Sequence, residues 1–344
     1  MNARALLLAC LAWLGASASA DEAPTGVRND VTFSHYSKDS GSAELVRRLV
    51  TPLNAWRLQQ HASASGIAIQ DQPVDLTQER FALYVPAQMP PDGYALLVFV
   101  PPWDDAKVPA DWTPVLDRHG MIFVTAARIG NDTSLLDRRD PVSLLAAINV
   151  MATYHVNPQR VYVAGLSGGS RVAQRLALGY TDLFHGVLLE AGSDPLGKTV
   201  PLPPASLLAQ FQTGTRVVYL TGQRDTANLE SDRVSRQSLR EWCIEDIDTR
   251  EMPWTGHVLA GPTALDRALT SLETHHPPDA SKLDACRSRI AKALDGELDK
   301  VRASMEGGRS DDAKQQLDAI DQRYGGLAAP RSVELAARLQ QATP

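Results

Sequence analysis

The stretch Arg160–Ser170, RVYVAGLSGGS, decides how this chain is read. Arg160–Ala164 is β-rich and apolar. Ser170–Tyr180 (SRVAQRLALGY) reads as a helix that can bury Val172, Leu176 and Leu178, and between the two stands Gly165-Leu166-Ser167-Gly168-Gly169. As letters alone, a G-x-S-x-G match is weak. On a strand-to-helix junction it is much stronger, because a serine on so sharp a turn needs glycines beside it where other side chains would collide. Such a turn predicts Ser167 Oγ at the carboxyl edge of a sheet and at a helix N-terminus, where backbone N–H groups favour developing negative charge. The plain alternative is a glycine-rich turn without chemistry.

Working outward, apolar runs occur at Phe81–Val85, Ala95–Val100, Met121–Ala126, Val161–Ala164, Gly186–Leu189 and Val217–Leu220. Helical stretches lie between them, among them Pro141–His155, Ser170–Tyr180 and Ser231–Trp242. The runs at 95–100 and 121–126 are almost uninterrupted, as in strands buried on both faces of a parallel sheet. The alternation predicts an α/β fold, a mostly parallel sheet covered by helices on both faces, over residues 79–276. Residues 21–78 read as an N-terminal accessory segment, with a helix over Ala43–Gln60 kinked at Pro52.

After His275-His276-Pro277-Pro278 the character changes. Residues 280–344 read as a helical C-terminal appendage. Ile290, Leu294, Leu298 and Val301 form one face, Ala313, Leu317, Ile320 and Tyr324 another, and a short third helix covers Ser332–Gln341. No 34-residue self-repeat marks a solenoid. A packed appendage is the plain reading and a module that binds a protein partner the alternative.

Composition narrows the classes. At 44% hydrophobic and 22% charged over 344 residues, the chain can bury a sizeable core. With 34 Lys+Arg against 40 Asp+Glu and no basic run, it lacks the balance of a phosphate-tracking nucleic-acid binder. Residues 1–20, MNARALLLACLAWLGASASA, read as a secretory signal: Arg4, an apolar run over Ala5–Leu14, and an A-x-A site ending at Ala20. The apolar run is too short to span a bilayer, so a periplasmic or secreted protein is expected, with a lipoprotein through Cys10 as the minor alternative. Cleavage after Ala20 leaves Cys243 and Cys286, which an oxidising compartment would invite to pair.

A serine hydroxyl is a poor nucleophile without a base, and the base needs a carboxylate to orient it. In the α/β-hydrolases, whose serine turn this one resembles, the acid and then the histidine follow the serine. Four histidines do so here. His185 enters a strand, and His275 and His276 adjoin prolines at the end of the sheet region. His257, in Pro253-Trp254-Thr255-Gly256-His257, lies in the loop between the strand-like Asp248–Met252 and a helix starting near Pro262. It is the expected base. Asp225 ends the Thr221–Asp225 loop after a strand and is the expected acid, with an N-cap as its plain role and Asp232 and Asp194 in reserve. Gly168 N–H is the expected first oxyanion donor. A second should come from the loop after Ala95–Val100, where Pro101 and Pro102 lack an N–H and Trp103 is the first that can donate.

These residues carry a resemblance. Val156–Gly169, VNPQRVYVAGLSGG, followed by Tyr180-Thr181-Asp182-Leu183-Phe184 and preceded by Gly130-Asn131, resembles the polyhydroxybutyrate depolymerase and feruloyl-esterase-like branch of the α/β-hydrolases. The resemblance spans roughly residues 79–275. It implies an exported esterase acting on carboxylic esters through an acyl-serine, with Ser167, Asp225 and His257 as the triad, Gly168 at the oxyanion and no cofactor or metal. The family usually carries a His-Gly pair where Pro101-Pro102 stands, and polyester depolymerases often add a linker and a polymer-binding module that this chain lacks. A small soluble ester is therefore the expected substrate. The alternatives are a serine peptidase on the same scaffold and a catalytically idle protein that binds a partner through its tail.

Overall fold

The computed structural model describes residues 24–342. The proposed signal segment, with Arg4, Cys10 and the Ala20 cleavage site, lies outside the described residues. The first part of the chain forms β1 (Gly26–Val31), α1 (Ser42–Leu49), α2 (Pro52–Ser65), β2 (Phe81–Val85), β3 (Tyr94–Val100), α3 (Thr113–Arg118), β4 (Met121–Ala126) and α4 (Asp140–Thr153). The centre follows as β5 (Val156–Leu166), α5 (Gly168–Gly179), β6 (Gly186–Glu190), α6 (Ala205–Gly214), β7 (Arg216–Gly222), α7 (Thr226–Glu241), β8 (Ile247–Met252) and α8 (Pro262–Leu272). Three helices close the chain: α9 (Ala280–Glu306), α10 (Ser310–Tyr324) and α11 (Arg331–Ala342).

The strands form one eight-stranded sheet in the order β1-β2-β4-β3-β5-β6-β7-β8, with β2 antiparallel to both neighbours and β3 to β8 parallel. Residues 21–78 therefore supply the edge strand β1 as well as helices. The single kinked helix expected over Ala43–Gln60 is two helices, broken at Val50-Thr51 with Pro52 in the first turn of α2. Proline lacks the N–H that a continuous helix would need and pushes the preceding residue into extended backbone, and Thr51 sits at ψ 146°.

Two apolar layers follow from the period of two along each strand. Leu96, Val98 and Val100 of β3 join α4, α5 and the C-terminal helices on one face. Leu97 and Phe99 join α3 and α8 on the other, where Phe99, Trp112 and Phe123 form an aromatic cluster with centroids 5.5–5.8 Å apart. The tail belongs to the first layer. Leu294, Leu298, Val301, Leu317 and Ile320 lie in the same buried cluster as Leu53 of α2, Tyr324 packs edge-on against Trp242 at 5.7 Å, and Cys286 of α9 is bonded to Cys243. Both apolar faces read from the sequence are thus consumed by packing within the chain. Among the described residues no helix is long and apolar enough to cross a membrane.

Candidate active site

The sheet delivers the expected residues to one rim, because β5, β6, β7 and β8 are parallel and all end on it. Ser167 follows β5 directly, with φ 56° and ψ −120°. A left-handed φ is costly for a residue with a side chain, on the order of 1–3 kcal/mol, and has to be held by its surroundings. Here Ser167 N–H donates to Glu190 O at 2.8 Å. The glycines are needed for close approach: a Cβ on Gly165 would overlap the Gly169 carbonyl, and one on Gly169 would overlap the Val100 carbonyl at the end of β3. The turn opens α5, and neither Gly168 nor Gly169 donates its N–H to another described residue. Gly168 is half-buried and Gly169 buried, so Gly168 N–H is the donor of the two that stands nearer the surface beside Ser167.

Asp225 and His257 come from the loops after β7 and β8. Arg224 N–H donates to Thr255 O at 2.8 Å and Gln223 N–H to Met252 O at 3.0 Å, which lashes the two loops together. His257 Nδ1 lies 2.6 Å from Asp225 Oδ2. Burial alone would raise the Asp225 carboxyl, but hydrogen bonds from His257 and Asn228 outweigh it and hold it below the usual carboxylate range. That assigns the proton to Nδ1 and leaves Nε2 as the basic nitrogen. Asp225 is also the N-cap of α7, accepting from Asn228 N–H at 3.5 Å, so its plain role and its expected role coexist. His257 is 45% exposed and the Asp225 side chain 8%, which leaves the imidazole at the surface with its orienting carboxylate beneath.

Asn228 escaped the sequence reading. Its Nδ2 donates to Asp225 Oδ1 at 3.0 Å and to Oδ2 at 2.9 Å. It also lies 3.1 Å from His257 Nδ1, but Nδ1 already donates to the shorter Asp225 contact and cannot accept there. The signal was available: Asn228 is three residues into the helix that Asp225 caps, which turns both onto one side.

Ser167 Oγ bonds no described residue, so its link to His257 is not made in this arrangement. The other candidates divide. Asp232 is buried under Ser193 and Thr221 hydroxyls, and Asp194 faces Arg171 at 3.5 Å, so neither meets a histidine. His275 Nδ1 pairs with Asp246 at 2.6 Å, far along the sheet from the elbow. Trp103 is 38% exposed, with its ring 6.5 Å from Phe99, and its N–H meets no described acceptor. Its loop is anchored by Asn131 N–H to Pro102 O at 3.1 Å, Gly130 N–H to Asp104 Oδ1 at 2.9 Å and the buried Arg139 to Pro101 O at 3.1 Å. The Asn131 amide lies directly over Gly168, where a Cβ would overlap it.

The sheet order, with a serine held left-handed between β5 and α5, defines an α/β-hydrolase fold. No family model and no curated protein matches the chain. Among solved structures it is similar to a ferulic acid esterase, at 17% identity and TM-score 0.43, over 56% of this chain and 90% of that one. It is similar to the poly(3-hydroxybutyrate) depolymerase of Bordetella parapertussis at 18% and 0.41, over 60% and 88%. A capsule O-acetyltransferase of Neisseria meningitidis is similar at 16% and 0.40, over 58% and 93%. These likenesses are distant, and the activity in each name stays with that protein.

Proposed function

We propose that this protein is an exported serine hydrolase that cleaves small carboxylic esters through an acyl-serine intermediate. The observation that carries the reading is the Asp225–His257 hydrogen bond on the sheet rim where Ser167 is held in a left-handed turn. In the reaction Ser167 Oγ attacks the ester carbonyl while His257 Nε2 takes its proton. Asp225 keeps the imidazole in the required tautomer and faces the imidazolium that forms. The carbonyl oxygen, now negative, accepts from Gly168 N–H and from a second donor assigned to Trp103. The alcohol leaves with the proton from His257, and water repeats the sequence to release the acid. The Ser167–His257 bond would form when substrate arrives, as is common where the unliganded geometry is loose. Export is supported by residues 1–20 and by the Cys243–Cys286 bond, since such bonds persist in oxidising compartments.

A fluorophosphonate probe tests the reading. Labelling of the mature protein that disappears in Ser167→Ala supports it, and p-nitrophenyl esters against peptide amides then divide esterase from peptidase. A second reading, an idle scaffold, is favoured by the unmade Ser167–His257 bond and by Pro101-Pro102. Folded protein that takes no label would establish it.

A further inference from the structure

Glu190 ends β6 and is fully buried, on the sheet face that holds Leu188. Its neighbours in register are Leu166 of β5 and Leu220 of β7, both apolar. Burying a carboxyl among such groups costs several kcal/mol unless it is bonded, and a leucine would fill the place without that cost. What the carboxyl does there is specific. Oε2 accepts the Ala260 N–H at 3.2 Å, while the carbonyl of the same Ala260 accepts from the buried Trp112 indole at 2.8 Å. Ala260, three residues after His257, is thus gripped on both sides of its backbone. The main-chain carbonyl of Glu190 accepts the Ser167 N–H. One residue therefore touches both the serine turn and the histidine loop, which otherwise come from different strands.

We propose that Glu190 is a positioning residue that sets the height of the His257 loop over Ser167. The assignment rests on the serine-hydrolase reading above. Its geometry also has a chemical consequence. Burial pushes the Glu190 carboxyl up to about 8, with only the Ala260 hydrogen bond opposing. Oε1 has no partner. Its register neighbours Leu166 and Leu220 and its hydrogen-bond partner Ala260 do not titrate, and His257 is the one titratable residue of the loop 253–261. Above that range the carboxylate would be driven toward water, and the loop it holds would move with it.

The test is the rate at which a fluorophosphonate probe inactivates the mature wild-type protein, Glu190→Leu and Glu190→Gln, followed from pH 6 to 10. Thermal melts check that each variant folds. Glu190→Leu should react on the order of 10- to 100-fold more slowly at saturating probe, with probe affinity unchanged. Glu190→Gln keeps an acceptor for Ala260 and should restore the rate at pH 7. The wild type should lose rate as pH rises through about 8, and Glu190→Gln should not. If Glu190→Leu fails to fold, the pH profiles of the other two decide. Matching profiles for wild type and Glu190→Gln, or equal rates in all three, overturn the proposal while the hydrolase reading stands. A wild type that takes no label removes the hydrolase reading and this proposal with it.

Discussion

His257 Nδ1 and Asp225 Oδ2 lie 2.6 Å apart across 32 positions of sequence, on loops joined by main-chain hydrogen bonds. The carboxylate is buried at the helix end and the imidazole exposed above it. The carboxylate therefore serves two purposes, as the cap of α7 and as the partner that sets the imidazole tautomer.

Those purposes separate in Asp225→Asn. Asparagine caps a helix as well as aspartate does, so the unfolding midpoint should change little. An amide nitrogen there donates to Nδ1 and holds the imidazole in the wrong tautomer, with Nε2 protonated, so fluorophosphonate labelling should slow by up to about 10⁴-fold. Parallel measurement of melting and labelling checks this. Equal loss in both would mean that the residue is structural.

Stability should fall with rising pH through Glu190. Its folded carboxyl is pushed up to about 8 from an ordinary 4.5, so between these values the unfolded chain gives up a proton that the folded chain keeps. The contribution is complete below about 4.5 and gone above about 8. The melting temperature of Glu190→Gln, followed from pH 5 to 9, should lack this part of the wild-type decline.

The Cys243–Cys286 bond spans 43 positions and ties α9 to the end of α7. Chain-entropy reasoning gives ~4 kcal/mol for a loop of this size. Denaturant unfolding with and without reductant should show a loss of that order, and the double Cys→Ser variant should match the reduced protein.

Leu298 is fully buried in a cluster that also contains Leu53 and Trp242. Leu298→Ala should cost roughly 2–5 kcal/mol and lower a single cooperative transition. Two separate transitions in a calorimetric scan would show instead that the tail folds on its own.

Much of the fold is legible in the sequence. Continuous apolar runs at 95–100 and 121–126 indicate strands buried on both faces, and the glycines flanking Ser167 indicate a turn too tight for side chains. Strand β1 was not legible, because GVRNDV lies at the sheet edge with only Val31 buried and so lacks the apolar alternation that marks a strand. Nor was Glu190, since a glutamate after an apolar run looks like a strand end reaching solvent.

The sequence by itself determined the local order of this protein: which apolar segments are the buried strands, where the serine turn falls, and which histidine and aspartate sit in loops that could follow it. Those are properties of neighbouring residues, set by sterics and by the burial of apolar side chains. Only the tertiary structure decided which distant groups meet. His257 at Asp225, Asn131 over Gly168 and Glu190 beneath Ala260 are contacts between segments that follow or end different strands. Their distances depend on how the parallel sheet aligns its strand ends, a relation no single stretch of chain contains.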